Sequence, residues 1–252
     1  LALACCSHFG ILVKVMAVRL GKRNLSWRDD KPATITWCEA LDEGNPEKEV
    51  EFRDEVFELN APFNNSATSI VKTIGRFAGI TWGNENTAIA NDYWWNTRNT
   101  KSYVFNPSNN NIEPVIISDR NYQDTYSDPG NFVTKRNEFG EYTLELVSNK
   151  AYLIGDGYSE KGKFPFVDEL NLQTLKTTRL YQSNLTDEIE SITDALNIQK
   201  GELIVRIESK NEYPNYYIRN IKNRMGLIPL TNFENPYKSI QNVYKEVIKY
   251  NR

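Results

Sequence analysis

The sequence predicts an all-β fold of many short strands, and three observations carry that reading. Val, Ile, Thr and a high aromatic content, with 5 Trp, 14 Tyr and 11 Phe, favour pleated surfaces. Gly, Asn, Asp and Pro interrupt the chain at short intervals, as they do between the strands of a sandwich, a barrel or a propeller. A weak repeat then points to the propeller. Leu25-Ser26-Trp27-Arg28-Asp29 and Ile80-Thr81-Trp82-Gly83-Asn84 each lead through polar turn residues into a strand of small and β-branched residues, and Trp82 follows Trp27 by 55 residues. A unit of about 40–55 residues is the footprint of one four-stranded blade, with its Trp packed between blades. Fainter unit starts fall at Asn131–Thr134 and Glu190–Thr193. On the repeat alone, two unrelated Trp-bearing strands stay open as the other reading.

The strands follow from local pattern. Ala33–Glu39, Asp54–Leu59, Phe77–Trp82 and Thr87–Asn91 carry β-branched and aromatic residues between polar breaks. Lys101–Asn106, Val115–Ser118 and Glu141–Val147 do the same, as do Val167–Leu172, Lys176–Tyr181, Glu202–Glu208 and Tyr216–Asn220. Between them stand turn sequences such as Glu43-Gly44-Asn45-Pro46, Asn106-Pro107-Ser108-Asn109, Ser127-Asp128-Pro129-Gly130 and Gly155-Asp156-Gly157. Tyr237–Tyr250 fits both periods: Ile240, Val243, Tyr244, Val247 and Ile248 have helical spacing, while Glu246, Ile248 and Tyr250 alternate. A short helical turn running into a strand reconciles them.

The 252 residues suffice for one large domain or two small ones. Thirty Lys and Arg stand against 33 Asp and Glu, a formal charge of −3 with no basic stripe, which argues against a nucleic-acid partner. No run of about 20 apolar residues exists to span a membrane. The 3 cysteines are Cys5, Cys6 and Cys38, an odd set that argues against a disulfide framework; Cys38 reads as a small core residue. Leu1–Cys6 is similar to the end of a bacterial lipoprotein signal but lacks its charged and long apolar regions, so residues 1–14 are read as an unassigned leader. The compartment stays open between a bacterial periplasm and a cytoplasm.

Candidate chemistry is sparse. The single histidine, His8, lies in the leader, so neither an imidazole-based catalytic triad nor a His/Cys metal site is expected, and no cofactor. There is no Gly-x-Ser-x-Gly elbow and no phosphate-cradling loop around Gly75 and Gly79. Asp29-Asp30, Glu138 with Glu141, and Asp168-Glu169 are paired carboxylates on paper. Neighbours along a strand point to opposite faces, so surface charge is the favoured reading over a sugar-cleaving pair. Tyr93-Trp94-Trp95 is expected to pack in the core rather than to form a ligand platform. Arg98, Arg120 and Arg136 sit in polar stretches beside aromatic or Asn residues, where a guanidinium either braces a loop or grips a carboxylate. Asn64-Asn65-Ser66 and Asn184-Leu185-Thr186 match the glycosylation sequon, a pattern frequent by chance.

Long runs of the chain resemble one family. VRLGKRNLSWRDDKPATITWCEALDEG at Val18–Gly44, RFAGITWGNENTAIANDYWWNTRNTKSYVFNP at Arg76–Pro107 and SDRNYQDTYSDPGN at Ser118–Asn131 are similar to prolyl oligopeptidase-family serine peptidases, in the glutamyl endopeptidase branch. GYSEKGKFPFVDELNLQT at Gly157–Thr174 and the run Leu230–Arg252 extend the similarity. The resemblance implies that residues 15–252 are the later half of an N-terminal β-propeller: a partial propeller of about four four-stranded blades, ending at the junction to an α/β-hydrolase domain that is missing here. No triad residue carries over. The implied role is non-catalytic gating of peptide substrates, with the hydrolase domain as partner in cis. Arg98, Arg120 and Arg136 are then candidates to contact an acidic substrate. Exposed blade edges imply self-association. A free-standing propeller-like module that binds a peptide or protein, and a carboxylate-dependent sugar hydrolase, are the competing readings.

Overall fold

The computed structural model describes residues 15–223, 226–240 and 246–250. The leader Leu1–Lys14, with Cys5, Cys6 and His8, lies outside them. Among the described residues stand four four-stranded antiparallel sheets, each of the propeller-blade type. The first runs in sequence order through β1 (Arg23–Trp27), β2 (Thr34–Ala40), β3 (Asp54–Asn60) and β4 (Thr68–Thr73). The second does the same with β5 (Arg76–Asn84), β6 (Thr87–Trp94), β7 (Asn99–Phe105) and β8 (Val115–Asn121).

The connectivity then interleaves. β9 (Asn131–Phe132) is an edge strand of the third sheet, but the chain next forms a ribbon of β10 (Thr134–Arg136) and β11 (Tyr142–Leu144), and β11 packs beside β5. The third sheet resumes with β12 (Lys150–Gly155), passes a small ribbon of β13 (Tyr158–Ser159) and β14 (Gly162–Lys163), and closes with β15 (Phe166–Asn171) and β16 (Thr177–Gln182). β17 (Glu188–Asn197), β18 (Glu202–Ser209), β19 (Asn215–Asn220) and β20 (Ile228–Pro229) make the fourth. The chain divides into two compact units. One runs through Ser127 and takes back Thr134–Glu145; the other holds Asp128–Val133 and everything from Leu146.

Each unit has its own apolar centre. In the first, Cys38, Val56, Ile70 and Val71 from one sheet meet Trp82, Ala88, Ala90, Tyr103 and Phe105 from the next. Cys38 and Val56 face each other across β2 and β3, and Trp82 meets Phe105 edge-on at 6.4 Å. Small Ala88 and Ala90 on β6 leave the room that the indole fills. Burial pushes the Cys38 thiol up to about 11, so it behaves as the expected core residue. In the second unit, Val133, Tyr152 and Val167 pack against Ile198, Leu203, Val205 and Ile207. There Glu190, fully buried, accepts from Arg219 Nε and Tyr181 Oη, both at 2.6 Å. Burial, then this bond to a carboxylate, raises the Tyr181 hydroxyl.

All eleven expected strands are present, and the four expected unit starts fall on β1, β5, β9 and β17. The expectation for the repeated tryptophans holds for one of them. Trp82 packs between two sheets, whereas Trp27 is 59% exposed and only leans on Phe63; among the described residues no strand precedes β1 to cover it. Three longer strands were not evident from sequence. β12 is a nearly continuous buried run without alternation, β4 is masked by its polar ends, and β17 is acidic with apolar residues at uneven spacing. At the end of the chain, Lys238–Ile240 forms a 3-10 turn, while residues 246–250 pair with no described strand; residues 241–245 lie outside the description. No helix among the described residues is long and apolar enough to cross a membrane.

The role of Trp82 is testable. Trp82→Ala empties the seam between the first two sheets and is expected to cost about 3–5 kcal/mol, read as a lowered midpoint in urea unfolding; Trp27→Ala should cost under about 1 kcal/mol by the same measurement, as an exposed side chain does.

Candidate functional site

Register alone brings the start of β1, the end of β2, the start of β3 and the end of β4 to one end of the first sheet. The start of β5, the end of β6, the start of β7 and the end of β8 gather likewise in the second. Charged residues at these strand ends form a buried cluster. Arg76, 2% exposed, grips Asp42 with two bonds (Nη1 to Oδ1 2.9 Å, Nη2 to Oδ2 2.7 Å) and reaches Asp54 Oδ1 at 3.1 Å. Its Nε donates to the Met16 carbonyl at 3.1 Å. Asp54 also accepts from Arg23 at 2.5 Å and from the Phe77 amide at 2.8 Å, and Asp42 accepts from Arg53 at 2.9 Å. The turn that delivers Asp42 depends on Gly44, which has φ 69° and donates to Asp42 Oδ1; a Cβ there would lie 2.0 Å from the Val18 carbonyl oxygen.

Three guanidinium groups therefore share two carboxylates. Such pairs repay their desolvation only when almost every donor and acceptor is used. Arg23 Nε is buried with no partner, and Arg53 Nε and Nη2 make no hydrogen bond among the described residues. Asp92 lies beside the cluster in sequence register, accepting from the Gly75 amide and Tyr103 Oη, each at 2.6 Å, and from the Lys101 amide at 3.1 Å. Burial outweighs these bonds and raises its carboxyl above the usual range.

Above the cluster opens a cleft of about 540 Å³, walled by Val50, Arg53, Ile74, Trp94, Asn99 and Lys101. The Arg53 guanidinium carbon lies over the Trp94 ring, 3.9 Å from its centroid. Lys101 Nζ reaches Asn99 Oδ1 at 2.5 Å and Asp119 Oδ1 at 3.0 Å. Asn99 and Lys101 hold the Asp119 carboxyl below its ordinary value, so it stays a carboxylate. The core placement expected for Tyr93-Trp94-Trp95 is not what the fold gives. Tyr93 and Trp95 are exposed and Trp94 is half-buried in the cleft wall, because β6 ends there and the rings project past the packed part of the sheet.

Of the three predicted arginines, two come together. Arg98, in the turn between β6 and β7, stacks on Trp95 at 3.7 Å and donates to the Trp95 carbonyl at 2.9 Å. Arg120, near the end of β8, pairs with Thr100 and donates to the carbonyls of Asn121 and Asp124. Both occupy the cleft end of the second sheet, and both brace loops. Arg136 lies elsewhere: it ends β10, 5.2 Å from the Tyr142 ring, and the next residue, Asn137, donates to the Asp29 carbonyl beyond β1 at the opposite end of the first sheet.

The paired carboxylates also separate. Glu138 and Glu141 are exposed, as expected. Asp30 and Asp168 are not surface charges. Arg28, which also stacks over Trp82 at 4.2 Å, holds Asp30 at 2.7 Å and Glu58 at 2.5 Å, and Arg179 holds Asp168 at 2.5 Å. Glu169 pairs instead with Lys150 at 2.8 Å. Burial, then Glu141, raises the Asp29 carboxyl. Among the described residues no cluster of His, Cys, Asp and Glu is arranged to hold a metal ion. The sequence reading passed over Arg53, Arg76, Asp42, Asp54 and Lys101. The signal for them was charge set directly at strand ends, as in Arg53-Asp54 and Gly75-Arg76.

No family model matches the chain. Over 257 residues it is 33% identical to "Probable glutamyl endopeptidase, chloroplastic" from Oryza sativa subsp. japonica, covering 96% of this chain and 27% of that protein. The protein of the same name from Arabidopsis thaliana is 31% identical over 252 residues, with 94% and 26% covered. The chain spans about a quarter of the length of these curated relatives. Among solved structures it is similar to the β-propeller domain of the Trilobed protease from Pyrococcus furiosus (TM-score 0.43, 9% identity, 82% of this chain and 57% of that one). It is also similar to oligopeptidase B from Trypanosoma brucei (TM-score 0.40, 11% identity, 79% and 33%).

Removing Arg76 should be far more damaging than removing Arg53. Arg76→Met removes three bonds to buried carboxylates at once, leaving Asp42 with Arg53 and Asp54 with Arg23, and is expected to cost about 3–5 kcal/mol. Arg53→Gln leaves two guanidinium groups for two carboxylates and should cost about 1–2 kcal/mol; urea unfolding of both variants checks the order.

Proposed function

We propose that this chain is the non-catalytic propeller region of a prolyl oligopeptidase-like serine peptidase and that it gates the access of peptides to a hydrolase domain carried on further polypeptide. The observation that carries this reading is the similarity of 96% of the chain to one stretch, 27% in length, of a glutamyl endopeptidase. The residue inventory supports it: the one histidine of the sequence is His8, and residues 15–252 hold no imidazole to activate a serine. A gate needs rigid walls with chemically distinctive loops at one end. Four-stranded meanders supply the walls, and the strand-end arginines supply the loops. Sequestering the reaction behind such walls excludes folded proteins and bulk water. Arg98 and Arg120, at one sheet end, and Arg136, at the other, are the proposed contacts to acidic substrates; each makes a loop-bracing bond or ring contact that would hold its guanidinium in place.

The test joins this chain to a catalytic partner. Replacing the corresponding stretch of a glutamyl endopeptidase with residues 15–252 should preserve cleavage of short glutamyl peptides and exclude folded proteins, as measured on a size-graded substrate series. Loss of size selection with peptide cleavage intact would overturn the gating role. The chain by itself should take no label from a fluorophosphonate probe; stoichiometric labelling would overturn the non-catalytic reading.

A further inference from the structure

The cleft adjoins a buried cluster in which Arg23, Arg53 and Arg76 share two carboxylates, Asp42 and Asp54. The third buried carboxylate nearby, Asp92, bonds instead to the Gly75 and Lys101 amides and to Tyr103. Asp42 and Asp54 are spent on these bonds and on backbone amides. Of the three guanidinium groups only Arg53 borders the cleft. Its Nη1 is committed to Asp42 and to the Lys48 carbonyl, while Nε and Nη2 make no hydrogen bond among the described residues. Trp94 packs against that guanidinium at 3.9 Å, and Nε and Nη2 form one edge of its planar fork.

Other charges around the cleft are accounted for. Asp119 is answered by Lys101 at 3.0 Å and by Asn99 at 2.6 Å. Glu43, in the turn before the cleft, is paired with Lys48 at 2.8 Å. Glu49 and Glu51, beside Val50, are exposed to water, and Arg53 makes no bond to either. An acidic loop of that kind is screened within a Debye length of about 8–10 Å, whereas a half-buried guanidinium against an aromatic wall is screened much less.

We propose that this cleft is a carboxylate-binding site, in which the open edge of Arg53 takes the two carboxylate oxygens and Trp94 carries the aliphatic stem behind them. The planar fork matches a carboxylate's two oxygens, and its two donors there have no other acceptor among the described residues. The peptidase reading enters only in naming the bearer, a peptide; the carboxylate is that of an acidic side chain or of a chain terminus.

The experiment titrates the chain with four small ligands, following the Trp94 indole N–H by NMR. Acetylglutamyl amide carries only a side-chain carboxylate and acetylalanine only a terminal one. Acetylglutaminyl amide and acetylalaninamide are their neutral counterparts. At least one acid should shift the Trp94 signal and bind about tenfold or more tightly than its amide, as a charge-assisted bond predicts, and the acid that does so identifies the source. Arg53→Gln should abolish the preference. Equal binding of acid and amide, no binding of either acid, or a folded Arg53→Gln chain that keeps the preference would each overturn the site. The ligand comparison on the unaltered chain decides the matter even if that variant fails to fold. No turnover is involved, so failure of the gating role leaves this result intact, and failure here leaves the size-selection experiment intact.

Discussion

Arg76 is the constraint on which the charged end of the first unit depends. A side chain with so little contact with water is accommodated because Asp42 and Asp54 bond to it, and those two carboxylates are bonded in turn by Arg76, Arg23 and Arg53. The three arginines come from β1, from the loop leading to β3 and from β5, so the cluster ties the turns of one sheet to the first strand of the next. The apolar seam around Trp82 presses the sheets together without choosing a register. The ion cluster chooses it, since bidentate geometry tolerates little displacement.

The second unit uses the same device in balanced form. Glu190 accepts from one guanidinium and one hydroxyl, and nothing is left over. The contrast explains why the two units differ in chemical promise. A satisfied buried carboxylate locks three strands and goes no further, whereas a guanidinium at the edge of a cleft with two donors unused among the described residues has room for an acceptor.

The sequence made the scaffold legible and the site only in part. Alternating runs such as Asp54–Leu59 and Glu202–Glu208 exposed their strands because half-buried sheets impose a period of two. Lys150–Gly155 hid because a strand buried on both faces has no alternation to read. The recurring Trp marked where sheets begin, yet Trp27 and Trp82 have opposite environments, and only the surrounding strands decide that. Arg98 and Arg120 were visible as arginines beside aromatic and amide residues. Arg53 and Arg76 were not, because a charged residue next to a strand reads as solvent-facing until tertiary packing covers it. Tyr93-Trp94-Trp95 misled for the converse reason: aromatic rings suggest an interior, but these occupy the end of β6 and the turn after it.

The interleaved path of the chain has a practical consequence. Residues 128–133 serve the second unit, 134–145 return to the first, and the chain then crosses back. A cut at Ser127 would strip β11 from the flank of β5 and lay bare Leu144, which is 2% exposed in the intact chain. A cut after Glu145 would instead carry β9 away from β12. Neither half can be excised with one pair of scissors, so this polypeptide is stitched rather than beaded, and engineers wishing to transplant either piece must move the shared thread along with it.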